Sequence, residues 1–274
     1  MDNLYIDLLK TVLTRYACPD RYRPVYRSIV RKRSPLLAAL YNPIYGGLDR
    51  FGLRLCLYRF NAEARTWGED WPPDAETMVG LKRLENVQFC VEDVLARGVP
   101  GDFAETGVWR GGVCILIRAI LKAHGVTNRV VWLADSFEGL PEPDARFPQD
   151  RGDKLSTFKD VLGVSLETVK ANFQRYGLLD DQVRFLKGWF KDTLPVSPIE
   201  RLAVLRLDGD MYASTMDALV NLYDKVSAGG YIIIDDYGQI NACKQAIDDF
   251  RGERGISSPI CQIDRSGVYW KKEE

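Results

Sequence analysis

Short apolar runs alternate with amphipathic stretches from about residue 101 onward. Five of these runs have the length of β-strands. They are Asp102 to Glu105, Val130 to Ala134, Val183 to Leu186, Leu202 to Leu207 and Tyr231 to Ile234. Because strands that alternate with helices form parallel sheets through crossover connections, the pattern predicts an α/β fold with a doubly wound, mainly parallel sheet.

Other stretches repeat their apolar positions with helical spacing. The predicted helices are Leu4 to Tyr16, Asp74 to Arg97, Gly112 to His124, Ser165 to Tyr176, Met211 to Val226 and Asn241 to Arg251. Ser165 is the expected N-cap of its helix, and Ala228-Gly229-Gly230 is expected to stop the helix that begins at Met211. Near the end, Ile260 to Ile263 and Val268 to Lys271 predict an antiparallel hairpin at the sheet edge.

A turn-rich joint at residues 67–73 divides the prediction into two parts. Residues 1–73 are expected to form a helical, basic arm or lid, and residues 74–274 the α/β domain. Residues 21–60 carry nine basic side chains against one acid, Asp49. The basic residues are Arg21, Arg23, Arg27, Arg31, Lys32, Arg33, Arg50, Arg54 and Arg59. Two interpretations stay open: a surface for an anionic, lipidic or large partner, or a lid or dimer arm whose arginines pair with the acidic remainder.

The overall composition is that of an ordinary globular protein, with 46% apolar residues, 27% charged residues and a pI near 6.0. A net charge of −1 gives no reason to expect nucleic acid as a partner. No apolar run approaches the roughly 18 residues of a membrane span, and the start does not resemble a signal peptide. We therefore expect no transmembrane segment and a cytoplasmic location.

The cysteines and the single histidine exclude several kinds of site. Six cysteines are scattered without a C-x-x-C motif and are interpreted as reduced core thiols. His124, the one histidine, is expected at the C-terminus of its helix. A zinc site built from histidine and cysteine and an iron site with two histidines are both excluded.

Two acidic pairs follow predicted strands directly. Asp208-Gly209-Asp210 comes after the run that ends at Leu207, and Asp235-Asp236 comes after the run that ends at Ile234. Residues just past the carboxyl ends of parallel strands line the ligand crevice of an open α/β sheet, so the two pairs are expected to converge. Since carboxylates in one crevice repel each other, the convergence predicts a hard cation between them.

A glycine-bearing turn follows the first predicted strand. Glu105 to Gly112 leads straight into a helix, which lets a ligand approach the backbone closely. Its spacing is neither G-x-G-x-x-G nor that of a phosphate-binding loop, which disfavours a dehydrogenase and a nucleoside triphosphate. Asp135 ends the second strand, where an acid can accept both hydroxyls of a ribose, and the alternative is that it serves as an N-cap or turn residue. Turn and acid together indicate an adenosine-containing ligand, for which S-adenosylmethionine (SAM) is a candidate.

Several segments, in this order, resemble the macrocin O-methyltransferase family. They are Thr77 to Gly80, Glu105 to Gly112, Ala134 to Gly139, Gly188 to Pro195, Arg206 to Tyr212 and Asp235 to Tyr237. The resemblance covers roughly residues 74 to 271, whereas residues 21–60 depart from the pattern in being longer and more basic. It implies the Rossmann-like fold of SAM-dependent methyltransferases and the methylation of sugar hydroxyls on glycosylated antibiotics with SAM and Mg²⁺.

The resemblance also implies roles for individual residues. Asp208, Asp235 and Asp236 take the metal-ligand positions, and Asp208 also takes that of the general base. The cofactor positions fall on Met78, Glu105, Thr106, Gly107, Gly111, Asp135, Ser136, Phe137, Gly139, Gly188 and Trp189. Asp210 is left either to orient a ligand or to touch the sugar.

The expected reaction agrees with elementary chemistry. A hydroxyl is far too weak an acid for a lone carboxylate to ionise it at neutral pH, and a coordinated cation reduces that difficulty. The expected partner is a glycosylated small molecule, and a catechol-like or other small-molecule diol is the alternative acceptor. We also expect a homo-oligomer, and we interpret the polar loop from Glu138 to Lys154 as a lid over the site.

Overall fold

A seven-stranded sheet forms the centre of the protein, whose computed structural model describes residues 4–19, 22–25, 30, 34–58 and 60–273. In chain order the strands are β1 (Tyr22–Pro24), β2 (Cys56–Tyr58), β3 (Asp102–Thr106), β4 (Val131–Asp135), β5 (Val183–Lys187), β6 (Leu202–Leu207), β7 (Val226–Ile234), β8 (Cys261–Gln262) and β9 (Val268–Lys271). The central sheet has the order β5-β4-β3-β6-β7-β9-β8. Its first five strands pair in parallel, and β9 pairs antiparallel with both β7 and β8. The predicted fold class, including the terminal hairpin, is confirmed.

Helices cover both faces of this sheet. In chain order the α-helices of the described residues are α1 (Leu4–Leu13), α2 (Pro35–Asp49), α3 (Ala62–Trp67), α4 (Leu81–Ala96), α5 (Gly112–Ala123), α6 (Lys159–Leu162), α7 (Leu166–Arg175), α8 (Phe190–Thr193), α9 (Tyr212–Leu222) and α10 (Asn241–Glu253). Neighbouring strand residues point to opposite faces, so Phe103 packs with α1, α4, α5 and α7 while Ala104 packs with α9 and α10. The predicted N-cap Ser165 accepts a hydrogen bond from the Thr168 amide.

One predicted helix begins later than expected. The amphipathic pattern from Asp74 onward becomes helical only at Leu81, with Gly80 as the N-cap. A Cβ atom on Gly80 would lie 2.2 Å from the carbonyl oxygen of Thr66, so the chain passes α3 at a distance that only glycine permits. The irregular segment before Gly80 carries Met78 to the cavity described below.

The predicted helix stop at Ala228-Gly229-Gly230 is wrong. Helix α9 ends at Leu222, and the glycines lie inside strand β7. The register between β6 and β7 shifts here, and Gly229 has a φ of +76°. The glycines therefore form an irregularity within a strand, which is the other common role of this residue in extended chain.

The arm combines a packed helix with an exposed one. Ile6, Leu9 and Leu13 of α1 are buried in the core. Helix α2 and the chain after it expose many apolar side chains, and β1 and β2 form a separate two-stranded sheet. Most of the basic side chains that define the arm lie outside the described residues, so neither interpretation of the arm is tested. The division at residue 73 and the homo-oligomer also stay predictions.

The cysteine prediction is half right. Cys90, Cys114 and Cys243 are buried thiols, whereas Cys18, Cys56 and Cys261 are exposed, and all six are free. His124 is the C-cap of α5, as predicted. Among the helices that the structure describes, none is both long enough and apolar enough to cross a bilayer.

Candidate active site

A cavity of about 400 Å³ opens at the carboxyl ends of the parallel strands. Backbone hydrogen bonds continue the ladder one residue beyond each strand, since the Asp208 amide donates to Thr106 and the Asp235 amide to Leu207. The loops after β3, β4, β5, β6 and β7 are thereby held side by side. The predicted residues that line the cavity are Met78, Glu105, Gly107, Asp135, Ser136, Gly139, Gly188, Trp189, Asp208, Asp235 and Asp236.

Three residues predicted for the cofactor do not line this cavity. Thr106 is buried at the end of β3, and Phe137 is buried against Phe185. Gly111 has a φ of +85° at the start of α5, where a Cβ atom would lie 2.9 Å from a methyl carbon of Val169. The structure thus gives these three positions packing and turn roles.

The glycine turn after β3 also fixes a residue on the neighbouring strand. Gly107 has a φ of +86°, and a Cβ atom there would lie 1.8 Å from the backbone oxygen of Asp208. The Asp135 carboxylate accepts hydrogen bonds from the amides of Val108 at 2.8 Å and Phe137 at 2.7 Å. Asp135 therefore shapes the two turns that surround the predicted cofactor position.

Strained backbone occurs in three of the turns at this end of the sheet. Trp109, Phe137 and Asp210 have positive φ angles of 47°, 57° and 59° in the turns after β3, β4 and β6. Such conformations are rare for aromatic residues and persist only where surrounding contacts impose them. Trp109 is held by its indole, which donates to the Val161 carbonyl oxygen at 2.9 Å.

A buried arginine joins the end of strand β3 to the turns after β6 and β7. Arg206, at 1% exposure, donates to Glu105, Asp208 and Asp235. Its bond to the Asp208 carboxylate is 2.8 Å long. One guanidinium therefore connects a predicted cofactor residue with two predicted metal ligands.

The buried position of Glu105 changes the pKa of its carboxyl group. Loss of solvent raises its pKa to about 7, although Arg206 and the Cys114 thiol, which lies 2.9 Å away, favour the ionised form. Two further carboxylates, Asp208 and Asp235, add to the rise by repulsion.

Asp235 is bound on both sides by arginine. One carboxylate oxygen accepts from Arg206 and the other from Arg83, a buried residue of α4 that also donates to Asp264 at 2.8 Å. The serine hydroxyl of Ser266 donates to the Asp235 carbonyl oxygen at 2.7 Å. Asp235 thus already has two cationic partners within the protein.

Asp208, Asp210 and Asp236 form a carboxylate cluster. Oxygen atoms from the three side chains lie within 4.8 Å of one another. Burial is the main cause that raises the pKa of Asp208 to about 6, that of Asp210 to about 8 and that of Asp236 well above its ordinary value, and repulsion by neighbouring carboxylates, Asp235 among them, adds to each rise. The Oδ2 atom of Asp236 is buried and accepts no hydrogen bond from any residue that the structure describes. The cluster shares Asp208 and Asp236 with the predicted metal set, but it contains Asp210 where the prediction has Asp235.

Arg83 and Arg206 belong to the site, although the sequence patterns predict no role for them. Arg206 interrupts the otherwise apolar strand Leu202–Leu207, and Arg83 lies close to the apolar face of α4. A charged residue among core positions signals a buried counter-ion, because an unpaired buried charge is very costly. This signal could have identified both arginines as parts of the site.

The side of the cavity away from the glycine turn is made of loops. Leu140, Glu142 and Phe147 from the loop after β4 face it, together with Trp71 and Ile240. Trp71 packs edge-on against Phe158, with ring centroids 5.3 Å apart. A wall with both polar and aromatic side chains is typical of a pocket that binds a small molecule.

The fold and the cavity together have the form of a SAM-dependent methyltransferase, and comparisons with known proteins agree. The family model for Macrocin-O-methyltransferase (TylF) matches residues 2–272. The chain therefore belongs to this family of SAM-dependent O-methyltransferases. The match extends beyond residues 74–271, where the sequence carries the resemblance, and includes residues 21–60.

Individual relatives support the same conclusion. The chain is 53% identical over 270 residues to the 8-demethyl-8-(2,3-dimethoxy-alpha-L-rhamnosyl)-tetracenomycin-C 4'-O-methyltransferase of Streptomyces olivaceus, covering 98% of this chain and 92% of that protein. It is 56% identical over 216 residues to the Mycinamicin III 3''-O-methyltransferase of Micromonospora griseorubida, covering 78% and 85%. The solved structure of the O-methyltransferase NovP matches with a TM-score of 0.84 and 47% identity over 99% of both chains.

Proposed function

We propose that this protein transfers the methyl group of SAM to a sugar hydroxyl of a glycosylated small molecule, with Mg²⁺ bound at the carboxylate cluster. The observation that carries the proposal is one cavity holding both the glycine turn of β3 and three mutually repelling carboxylates. Relatives whose names specify a 4' position on a rhamnosyl-tetracenomycin and a 3'' position on mycinamicin III support the sugar acceptor.

The carboxylate cluster fits a divalent cation. Its donors are all oxygen atoms, which Mg²⁺ prefers, and the buried Asp236 Oδ2 atom has no hydrogen-bond donor among the described residues. The family resemblance and the carboxylate cluster both support Asp208 and Asp236 as the proposed ligands. Asp210 and Asp235 compete for the third position, since Asp210 belongs to the cluster and Asp235 is bound by Arg83 and Arg206. When bound, the ion would supply the positive charge that makes a nearby hydroxyl easier to ionise.

Asp208 is the proposed general base. Its side chain is partly exposed to the cavity, at 27%, whereas that of Asp235 is buried at 7%. Arg206 holds one Asp208 oxygen at 2.8 Å, and the backbone of Asp208 is fixed against Gly107. The carboxylate is therefore positioned to accept the hydroxyl proton of a sugar that lies between it and the methyl donor.

The proposed cofactor site lies on the other side of Asp208. Asp135 and Glu105 would face the nucleoside and amino acid parts of SAM, with Met78, Gly107, Ser136, Gly188 and Trp189 around them. Strand order supports this placement, because the topological switch point lies between β3 and β6.

A methyl-transfer screen tests the proposed function. Purified protein with isotopically labelled SAM and Mg²⁺ is offered glycosylated metabolites and, separately, catechols, and products are identified by mass spectrometry. Labelled glycosides whose fragments place the methyl on the sugar are expected. Transfer to catechols alone would contradict the sugar assignment, and undiminished transfer after chelation of divalent metals would contradict the role of Mg²⁺.

A further inference from the structure

Asp150 ends the loop that forms one wall of the cavity. Residues of this loop that face the cavity are Gly139, Leu140, Pro141, Glu142, Asp144, Arg146 and Phe147. The loop then makes a single 3-10 turn, Pro148–Asp150. Although a loop aspartate is ordinarily exposed, Asp150 is only 1% exposed.

Both carboxylate oxygens of Asp150 accept backbone hydrogen bonds from the start of α9. Oδ1 accepts from the Tyr212 amide at 2.7 Å, and Oδ2 accepts from the Ala213 amide at 3.0 Å. These amides have no partner within the helix, and a negative charge is favoured at a helix N-terminus. The residue at the N-cap position is Met211, which has no capping side chain. Asp150 therefore supplies, from a distant loop, the cap that the local sequence lacks.

The capped end of α9 directly follows the turn that carries Asp208 and Asp210. Asp210 has a φ of +59°, an uncommon conformation that neighbouring contacts must hold. The Phe147 ring packs 5.6 Å from the ring of Tyr212, and the Tyr212 hydroxyl donates to Asp249 of α10 at 3.0 Å. The loop wall, the start of α9 and the acidic turn are thus joined through one buried carboxylate.

We propose that Asp150 is a positioning residue that fixes the acceptor wall of the cavity against the turn bearing Asp208 and Asp210. Asp150 touches neither acceptor nor cofactor and acts through the backbone of Tyr212 and Ala213. The loop from Glu138 to Lys154, which the sequence predicts to be a lid, is held at Asp150 by hydrogen bonds to the start of α9. The inference rests on the proposed function in one respect: the ligand that faces this wall is the methyl acceptor.

Limited proteolysis tests the clamp without requiring any activity. Arg146, Arg151 and Lys154 are trypsin sites within or beside the loop. In Asp150→Ala, loop cleavage in the SAM-bound protein is expected to accelerate by about fivefold or more, the factor that corresponds to a lost helix cap. Asp150→Asn keeps one acceptor oxygen and should fall between Asp150→Ala and the wild type.

A matched control removes the N-cap of helix α7, which is made by a residue next to the helix and not by a distant loop. Ser165 caps α7 by accepting from the Thr168 amide at 3.2 Å and does not line the cavity. Ser165→Ala should leave the cleavage rate at Arg146, Arg151 and Lys154 unchanged. Equal loop cleavage in Asp150→Ala and the wild type, with fragments assigned by mass spectrometry, would overturn the proposal.

Steady-state kinetics test the positioning role. Asp150→Ala should lower kcat/KM for the acceptor by about tenfold or more, since small misplacements of reacting groups cost large factors in rate. The KM for SAM should stay near the wild-type value, and Asp150→Asn should recover part of the loss. Faster loop cleavage with an unchanged acceptor kcat/KM would overturn the positioning role while leaving the proposed function intact. If the wild type methylated no glycoside, the proposed function would fail, and the proteolysis result alone would decide whether Asp150 clamps the wall.

Discussion

The two halves of the cavity hold their acids in opposite ways. In the half around the glycine turn, Asp135 accepts two backbone amides and Glu105 accepts from Arg206 and Cys114. In the other half, the carboxylate cluster places three acids within 4.8 Å, with Arg206 reaching only Asp208 among them. The acids of the first half therefore have hydrogen-bond partners within the protein. The three acids of the second half have fewer cationic partners than negative charges.

This difference indicates where an external cation is needed. In the glycine-turn half, Asp135 and Glu105 already accept hydrogen bonds from groups of the protein itself. The carboxylate cluster is stable at neutral pH only if its acids are protonated or neutralised by a bound cation.

Asp208→Asn should lose the most activity. An amide keeps the shape of the side chain but cannot accept a proton, so turnover should fall by at least about 10²-fold. SAM affinity, measured by calorimetry, should stay nearly unchanged because Asp135 and the glycine turn are intact. Turnover near the wild-type value would show that another group serves as the base.

Arg206→Met should destabilise both halves together. Removing this guanidinium leaves three carboxylates without their shared partner, which costs about 3–5 kcal/mol for a buried ion pair. The free energy of unfolding is measured with denaturant. Arg97→Met, which breaks the partly exposed Arg97–Asp93 pair, is the control and should cost at most about 1 kcal/mol. Equal losses in the two variants would contradict the central role of Arg206.

Asp210→Asn and Asp235→Asn separate the two candidates for the third metal ligand. The variant that removes a true ligand should weaken Mg²⁺ binding by about tenfold or more, as measured by calorimetry. The geometry favours the larger loss in Asp210→Asn, since Asp235 is engaged by two arginines. A larger loss in Asp235→Asn would instead support the set implied by family resemblance and require Arg83 or Arg206 to yield an oxygen to the ion.

The stability of the metal-free protein should depend on pH in a direction opposite to that of ordinary salt-bridged acids. Folding raises the pKa of Asp208 to about 6 and that of Asp210 to about 8 from an ordinary 3.8. Between about pH 4 and about pH 8 the folded state therefore binds more protons than the unfolded state, and stability falls as the pH rises. Since Mg²⁺ binds the ionised form, it should raise the Tm by a few degrees more at the upper end of this range. An equal Mg²⁺ effect throughout would contradict the assignment.

The sequence predicts the site residues that follow strands better than those that lie in loops. Asp135, Gly107 and the acidic pairs follow strands, so their convergence follows from the rules of parallel sheets. The wall around Leu140 and Phe147 is formed by a loop, whose conformation depends on distant contacts such as that of Asp150 with α9. The sequence also does not predict which of the acids have no cationic partner. This depends on which carboxylates the guanidinium groups of Arg83 and Arg206 contact.

Mg²⁺ binding to the metal-free protein is the most direct test of the account. Calorimetry at about pH 8, at or above the raised pKa values of Asp208 and Asp210, should show one bound ion per chain. Asp236→Asn removes the buried acid whose Oδ2 atom has no donor among the described residues, and it should abolish that binding while SAM binding persists. Absence of Mg²⁺ binding by the wild type, or unchanged binding by Asp236→Asn, would contradict the claim that the carboxylate cluster holds the cation.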